Sequence, residues 1–499
     1  MVSLEGYARR VARGSIIYLT ALIAAQFVAF LLFLFLTRNL GAEGYGLLYA
    51  VIGLFSYLSF FRDFGLNTAL AKYIPEFTVK REYSKIKSSI VFVLLFQAIF
   101  AFGIVVVLFI FSGQLATVYF KTQAAVTPLK ILSIWYFATV FFMLVKGVFQ
   151  GFQNMLLFSA MEFFSIFLPF VLAVLFVGAF NLDVGGAALA YFLGLSIAMA
   201  GSIFFLIRGY PQIFREKSSI AKPLAKKLLK FAIPVFIGGL GLVIVSYTDI
   251  VLITVFYSAK EVGFYGVATQ MGHFSWLFAA AIGTVFLPMI SELWEKREQK
   301  ILGSAIHFLI KIYSVLIIPV VLVFIAFPEI VINLLPGPGY LPAATALQII
   351  SLVAIVYVMY VIPSTVLSGI GKPAIAAKVI GVMACFNLFG NLLLIPSYGI
   401  EGAATVSLLS FIIGAILMLY FTRKFVRYVL PSLSILKALI GGGLTLLIIY
   451  VLKSMLSLPP LLKTIIVLMP SLLFYAGWAL STRAITMGDL RILKKSLFR

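Results

Sequence analysis

One cysteine and two histidines are all that 499 residues contain of those two types. Cys385 alone can form no intramolecular disulfide and no thiolate metal cluster. His273 and His307 stand far apart, so a metal enzyme has little to build on. No metal and no cofactor is expected. Charge is scarce as well: 11% of the residues are Asp, Glu, Lys or Arg, against about 25% in a soluble domain. Paired carboxylates and phosphate-cradling glycine loops are missing, and Glu43, Asp183, Glu261, Glu329 and Glu401 stand singly in short loops. A membrane glycosyltransferase, polymerase or ligase needs a clustered acid–base or metal site and usually a sizeable loop. The sequence therefore argues against an enzyme.

Hydrocarbon fills the place of charge. The chain is 63% hydrophobic, much of it in long runs, and a run of about 20 apolar residues at helical rise matches the bilayer core. Fourteen candidate spans emerge: 15–37, 45–64, 88–111, 129–149, 156–179, 185–207, 231–257, 264–288, 306–327, 343–367, 374–396, 402–421, 436–452 and 464–480. The expected fold class is an all-α polytopic membrane protein. Arg9, Arg10 and Arg13 precede an apolar stretch that is too long for a signal peptide and lacks a small-x-small cleavage site. It reads as an uncleaved first membrane helix.

The formal net charge of +22 encodes orientation rather than nucleic-acid binding, because Lys and Arg are retained on the cytoplasmic side. With the N-terminus inside, the outer loops hold only Arg38, Lys121, Lys130, Lys260, Lys453 and Lys463 of the 38 basic residues. Both termini are then cytoplasmic. A basic inner face also attracts anionic membrane lipids.

The chain repeats internally. Ala42-Glu43-Gly44-Tyr45-Gly46 matches Ala259-Lys260-Glu261-Val262-Gly263-Phe264-Tyr265-Gly266. Gln150-Gly151-Phe152-Gln153 matches Ser368-Gly369-Ile370-Gly371. Val184-Gly185-Gly186-Ala187-Ala188 matches Ile400-Glu401-Gly402-Ala403-Ala404. The repeat unit holds six helices, an even number, so its copies enter the membrane from the same side and form two parallel six-helix bundles. The expected organisation is a first bundle over 1–210, a basic cytoplasmic linker over 211–230, a second bundle over 231–425, and two further helices with a cytoplasmic tail over 426–499. Gly41, Gly44 and Gly46 are expected to serve a tight outer turn.

Ionisable residues within spans are costly and mark candidate sites. Asp249 lies in the seventh span, where it can bind H⁺ or Na⁺, contact a sugar hydroxyl, or hold helices together by a hydrogen bond. Lys146 and Glu162 lie on adjacent spans and can meet as a neutral pair. Lys146 can also snorkel to the surface or attract a diphosphate. His307 and Lys311 are four apart and share a helix face. A cationic cavity lined by Lys146 and Lys311 from the two halves would suit a pyrophosphate. Arg62 and Asp63 border the inner end of the second span and read as topology or loop residues, as do Lys72 and Glu76, four apart. His273, three residues before Trp276, reads as a structural histidine.

The stretch Arg38-Asn39-Leu40-Gly41-Ala42-Glu43-Gly44-Tyr45-Gly46, with Asp63-Phe64-Gly65-Leu66 and Ala69 beyond it, resembles the opening motif of polysaccharide-exporter flippases. Thr248-Asp249-Ile250-Val251-Leu252 and Glu261-Val262-Gly263-Phe264-Tyr265 are similar to the same family. The resemblance covers nearly the whole chain. It implies membership of the multidrug/oligosaccharidyl-lipid/polysaccharide superfamily. The function so implied is translocation of a lipid-linked oligosaccharide or polysaccharide precursor, on a polyprenyl or dolichyl diphosphate, across the cytoplasmic membrane by alternating access, with or without H⁺ or Na⁺ coupling. The alternative within the superfamily is a cation-coupled multidrug antiporter, whose cationic substrates favour acidic and aromatic cavities.

Overall fold

Backbone amides in hydrocarbon need internal partners, and helices supply them within one segment. Every regular element among the described residues is accordingly a helix. The computed structural model describes residues 4–219, 221–456 and 459–491, and the side chains within them outside 4–16, 274, 277, 278, 280–285, 288 and 461. The side chains of Arg9, Arg10 and Arg13, and the tail beyond 491, both assigned to the inner face from sequence, lie outside this set. Among the described residues, 11 helices are long and apolar enough to cross a membrane. Two of them are kinked, Ile17–Leu58 at Gly41 and Pro373–Arg423 at Gly399. Both glycines have positive φ, 66° and 54°, a conformation that costs other residues strain. The protein is a multi-pass helical membrane protein.

The chain divides into two compact units, Met1–Gly263 and Phe264–Arg499. The first contains α1 (Leu4–Leu58), α2 (Phe60–Asp63), α3 (Leu66–Val79), α4 (Tyr83–Ile110), α5 (Ser112–Val118), α6 (Val126–Gly151), α7 (Met155–Ala173), α8 (Asp183–Gly209), α9 (Pro211–Arg215) and α10 (Lys222–Phe256). Its core joins Leu66, Leu70 and Ile74 of α3 to Val148 and Phe149 of α6 and to Leu228 and Ala232 of α10. The basic stretch 211–230 is partly helix, because α10 already starts at Lys222. Its start is tied to α4: Lys87 donates to the Phe214 carbonyl at 2.9 Å, and Ser84 to that of Lys217 at 2.9 Å.

The second unit contains most of α11 (Ala259–Glu295), then α12 (Gln299–Ala326), α13 (Pro328–Leu334), α14 (Ala344–Gly369), α15 (Pro373–Arg423), α16 (Ser432–Met455) and α17 (Pro460–Ser481). Here Ile318 and Leu322 of α12 pack with Ala438 of α16 and Tyr475 of α17. The Tyr475 hydroxyl donates to the Val315 carbonyl at 2.9 Å, and Trp478 Nε1 to that of Lys437 at 2.8 Å. The last two helices are thus fastened to α12. His273 lies in an aromatic group, 4.5 Å from the Trp276 ring, which stacks on Tyr357 at 5.3 Å.

One contact within the first unit is reciprocal. A Cβ added to Gly46 would lie 1.8 Å from the Ala259 carbonyl oxygen, and one added to Gly263 would lie 2.2 Å from that of Ala42. The pairs Ala42/Ala259 and Gly46/Gly263 are each 217 residues apart. Each helix therefore presents a glycine to the other's backbone at matching positions. Of the glycines assigned to an outer turn, Gly41 forms the kink, whereas Gly46 serves this helix–helix approach inside α1. Periodicity could not separate these roles, since both glycines fall in one short motif.

Candidate functional site

The helix of the second span, 45–64, is interrupted near its end rather than finished there. Helix α1 stops at Leu58, the short α2 follows, and α3 resumes the helix for 14 residues from Leu66. Two successive left-handed residues make the break, Phe64 (φ 47°) and Gly65 (φ 71°). Gly65 also meets α10 closely, for a Cβ there would lie 2.5 Å from the Ala232 carbonyl oxygen. The Phe236 ring of α10 stacks on Phe60 at 3.8 Å and on Phe64 at 5.0 Å.

A broken helix frees backbone groups that must find partners inside protein or a cavity. Tyr136 donates to the Leu58 carbonyl at 2.8 Å, and Gln97 to the Asp63 carbonyl at 3.0 Å. The Asp63 carboxylate accepts from the Gly65 amide at 3.2 Å and from the Asn67 side chain. Arg62 donates to Thr139, and its guanidinium lies 5.6 Å from the centre of the Tyr136 ring. Arg62 Nε, Asn67 Oδ1 and Gln97 Oε1 are buried and have no hydrogen-bond partner among the described residues.

Beside the break lies a cavity of about 490 Å³ inside the first unit. Arg62, Asp63, Asn67, Lys146 and Gln150 supply its polar lining, and Phe60, Phe158 and Phe236 are among its apolar walls. Lys146 donates to Glu162 across α6 and α7, and its ammonium lies 5.0 Å from the Phe158 ring centre. Their side chains are 18% and 25% exposed, so the pair is largely shielded. Of the two lining cations, Lys146 is thus paired with a carboxylate, whereas Arg62 enters none of the ion pairs among the described residues.

The other sequence candidates lie elsewhere. Asp249 is 5% exposed, accepts from the Ile250 amide at 2.9 Å, and is outside the cavity lining. Lys311 donates to Asp489 of the carboxy-terminal segment at 2.7 Å. His307 donates from Nδ1 to the Val429 carbonyl at 2.7 Å and lines a second groove. Glu76 accepts from Lys80 at 2.9 Å and Lys227 at 3.0 Å, while Lys72 sits 4.0 Å over the Phe231 ring. Lys72 and Glu76, read from sequence as topology or loop residues, thus both contact α10, through Phe231 and Lys227.

Arg62 and Asp63 do stand at a helix end, that of α2, but the helix resumes at Leu66 and both residues line a cavity, which the sequence does not reveal. Gln97 was the available signal: a buried amide in the middle of the apolar 88–111 run.

Asp489 gives a pH test. Burial alone pushes its carboxyl up, but hydrogen bonds from Lys311 and Thr486 outweigh that and hold it below the usual carboxylate range. A lowered native pKa stabilises docking at pH values above the ordinary carboxylate range and loses that contribution as pH falls through the native value. Hydrogen exchange of residues 484–491, corrected for intrinsic rates, is expected to be slow at pH 7 and to rise below about pH 4. Asp489→Asn should show the fast exchange already at pH 7.

A multi-pass helical protein with a helix broken beside a charged cavity has the build of a membrane transporter. The polysaccharide biosynthesis protein family model matches residues 11–294, and the MatE model matches 234–393. The chain belongs to the polysaccharide biosynthesis protein family and thereby to the multidrug/oligosaccharidyl-lipid/polysaccharide superfamily of transporters. An uncharacterized membrane protein of Methanocaldococcus jannaschii is 31% identical over 85% of this chain and 86% of its own. A probable low-salt glycan biosynthesis flippase of Haloferax volcanii is 26% identical over 83% and 84%. Among solved structures, the lipid II flippase MurJ in an inward closed conformation shares the fold with a TM-score of 0.71, at 16% identity, over 97% of this chain and 100% of that one. An inward-facing multidrug resistance transporter of the MATE family shares it with a TM-score of 0.68, at 16% identity, over 80% and 94%.

Proposed function

We propose that this protein flips a lipid-linked oligosaccharide or polysaccharide precursor across the cytoplasmic membrane by alternating access. The observation that carries the reading is the cavity at the α1–α3 break, where Arg62 and Lys146 line one polar space. A diphosphate suits this pair, because a guanidinium offers a planar fork and an ammonium a mobile point charge. Glu162 balances the charge of Lys146. An entering diphosphate competes for that ammonium, so binding transfers Lys146 from carboxylate to phosphate. Asn67 and Gln150 offer amides to sugar hydroxyls, while the polyprenyl tail stays in lipid. The head group then avoids crossing hydrocarbon with its polar groups unsatisfied.

The kinks at Gly41 and Gly399 and the 37-residue α11 support fourteen spans. The matching contacts of Gly46 and Gly263 support two like-built six-helix halves. Loop charge supports cytoplasmic termini. Asp249, buried in α10, is the candidate for H⁺ or Na⁺ coupling. Lys311 anchors the carboxy-terminal segment.

The MatE match and buried Asp249 favour one second reading, a cation-coupled multidrug antiporter. Cells lacking the protein separate the two. They should accumulate lipid-linked oligosaccharide on the inner leaflet, lose the exported glycan and keep their drug tolerance. Hypersensitivity to cationic drugs with normal glycan export would overturn the flippase reading in favour of the antiporter.

A further inference from the structure

A second groove, of about 740 Å³, lies wholly inside the second unit. One wall is the first two turns of α12, where Lys300, Gly303, Ser304 and His307 share a face. The other is the last residue of α15, Arg423, and the segment after it, with Arg427 and Tyr428. No carboxylate lines it, and Lys300, Arg423 and Arg427 enter none of the ion pairs among the described residues. Three cations therefore face one space without a carboxylate to balance them.

The walls are built rather than draped. A Cβ on Gly303 would lie 2.3 Å from the Arg427 carbonyl oxygen, so the segment rests directly on α12. The His307 bond to Val429 holds its far end, and the Tyr428 hydroxyl donates to the Leu419 carbonyl at 3.1 Å. Arg423 lies 5.6 Å from the Tyr428 ring centre. The groove also stands where two membrane-length helices end, the start of α12 and the close of α15. That is the level of lipid head groups.

We propose that this groove binds the phosphate of an anionic membrane lipid, with Arg423 and Arg427 gripping the phosphate oxygens and Lys300 adding charge. Guanidinium groups pair with phosphate through two parallel hydrogen bonds, and juxtamembrane cations attract anionic lipids. The groove shares no lining residue with the cavity at Arg62, and the proposal does not depend on what that cavity carries.

The test uses the full chain in an uncharged detergent, titrated with short-chain phosphatidylglycerol, short-chain phosphatidylcholine or inorganic phosphate, and follows the thermal midpoint. Phosphatidylglycerol should raise it saturably, whereas phosphatidylcholine should not. Inorganic phosphate should need concentrations at least about 100-fold higher, since it lacks the acyl chains that hold a lipid at the surface. R423Q/R427Q should weaken phosphatidylglycerol binding by about 30-fold, the factor two surface cations contribute, with the lipid-free midpoint unchanged. If that pair lowers the lipid-free midpoint, Lys300→Gln, outside the Arg423–Tyr428 contact, serves in its place and should weaken binding by about fivefold. Unchanged phosphatidylglycerol affinity in the variants, or equal binding of phosphatidylcholine, overturns the proposal. Inorganic phosphate as potent as the lipid overturns the lipid source.

Discussion

Arg62→Gln is expected to lower the initial rate of lipid-linked oligosaccharide translocation in proteoliposomes by more than about 30-fold. The substitution removes a cation held by Thr139 and the Tyr136 ring, and the Arg62 Nε is buried without a hydrogen-bond partner among the described residues. Glutamine keeps a donor near Thr139 and loses the charge. If Arg62 engages the diphosphate, the loss appears as weakened substrate affinity at an unchanged thermal midpoint. Arg62→Lys should then recover part of the rate, because it restores charge without the fork. A purely structural Arg62 would give a different pattern, a lowered midpoint with transport falling in parallel. Transport by Arg62→Gln within twofold of the unsubstituted protein would remove Arg62 from the site.

The second large effect concerns folding. Gly46→Val or Gly263→Val places a branched side chain where even a Cβ would lie 1.8 Å or 2.2 Å from a neighbouring carbonyl oxygen. A flexible side chain could move aside, but a helix backbone must translate. Overpacking in a tight core costs about 1–3 kcal/mol, and the upper end applies when backbone has to give. Both variants should show strongly reduced yield in detergent and a thermal midpoint lower by several degrees. Gly103→Val in α4 is the control, since a Cβ there meets nothing within 4 Å. It should stay within about 0.5 kcal/mol of the parent. Equal tolerance at Gly46 and Gly103 would mean that the helix approach is looser than the structure has it.

How much was legible follows from the range of the physics involved. Membrane helices announce themselves through local composition, so the apolar runs led directly to a multi-pass helical protein. Lys146 and Glu162 could be paired because adjacent helices and costly burial leave each few alternatives. Arg62 was missed because an apolar run that stops looks the same whether the helix ends or breaks. The break depends on Phe64, a residue with no intrinsic left-handed preference, held there by stacking on Phe236 of a distant helix. Asp489, the partner of Lys311, lies 178 positions away, beyond any spacing rule. Gly46 showed in sequence as a glycine of a shared motif. That it touches the other copy of that motif is a tertiary fact.

The most direct measurement is photocrosslinking to a polyprenyl diphosphate oligosaccharide, with a photoreactive phenylalanine analogue placed at position 68 or 150, both on the cavity lining. Adducts should form at both positions, be competed by unlabelled substrate, and disappear when Arg62→Gln and Lys146→Ala are combined. Adducts of undiminished yield in that double variant, or adducts only at exposed control positions outside the cavity lining such as 102 of α4, would contradict a substrate path through this cavity.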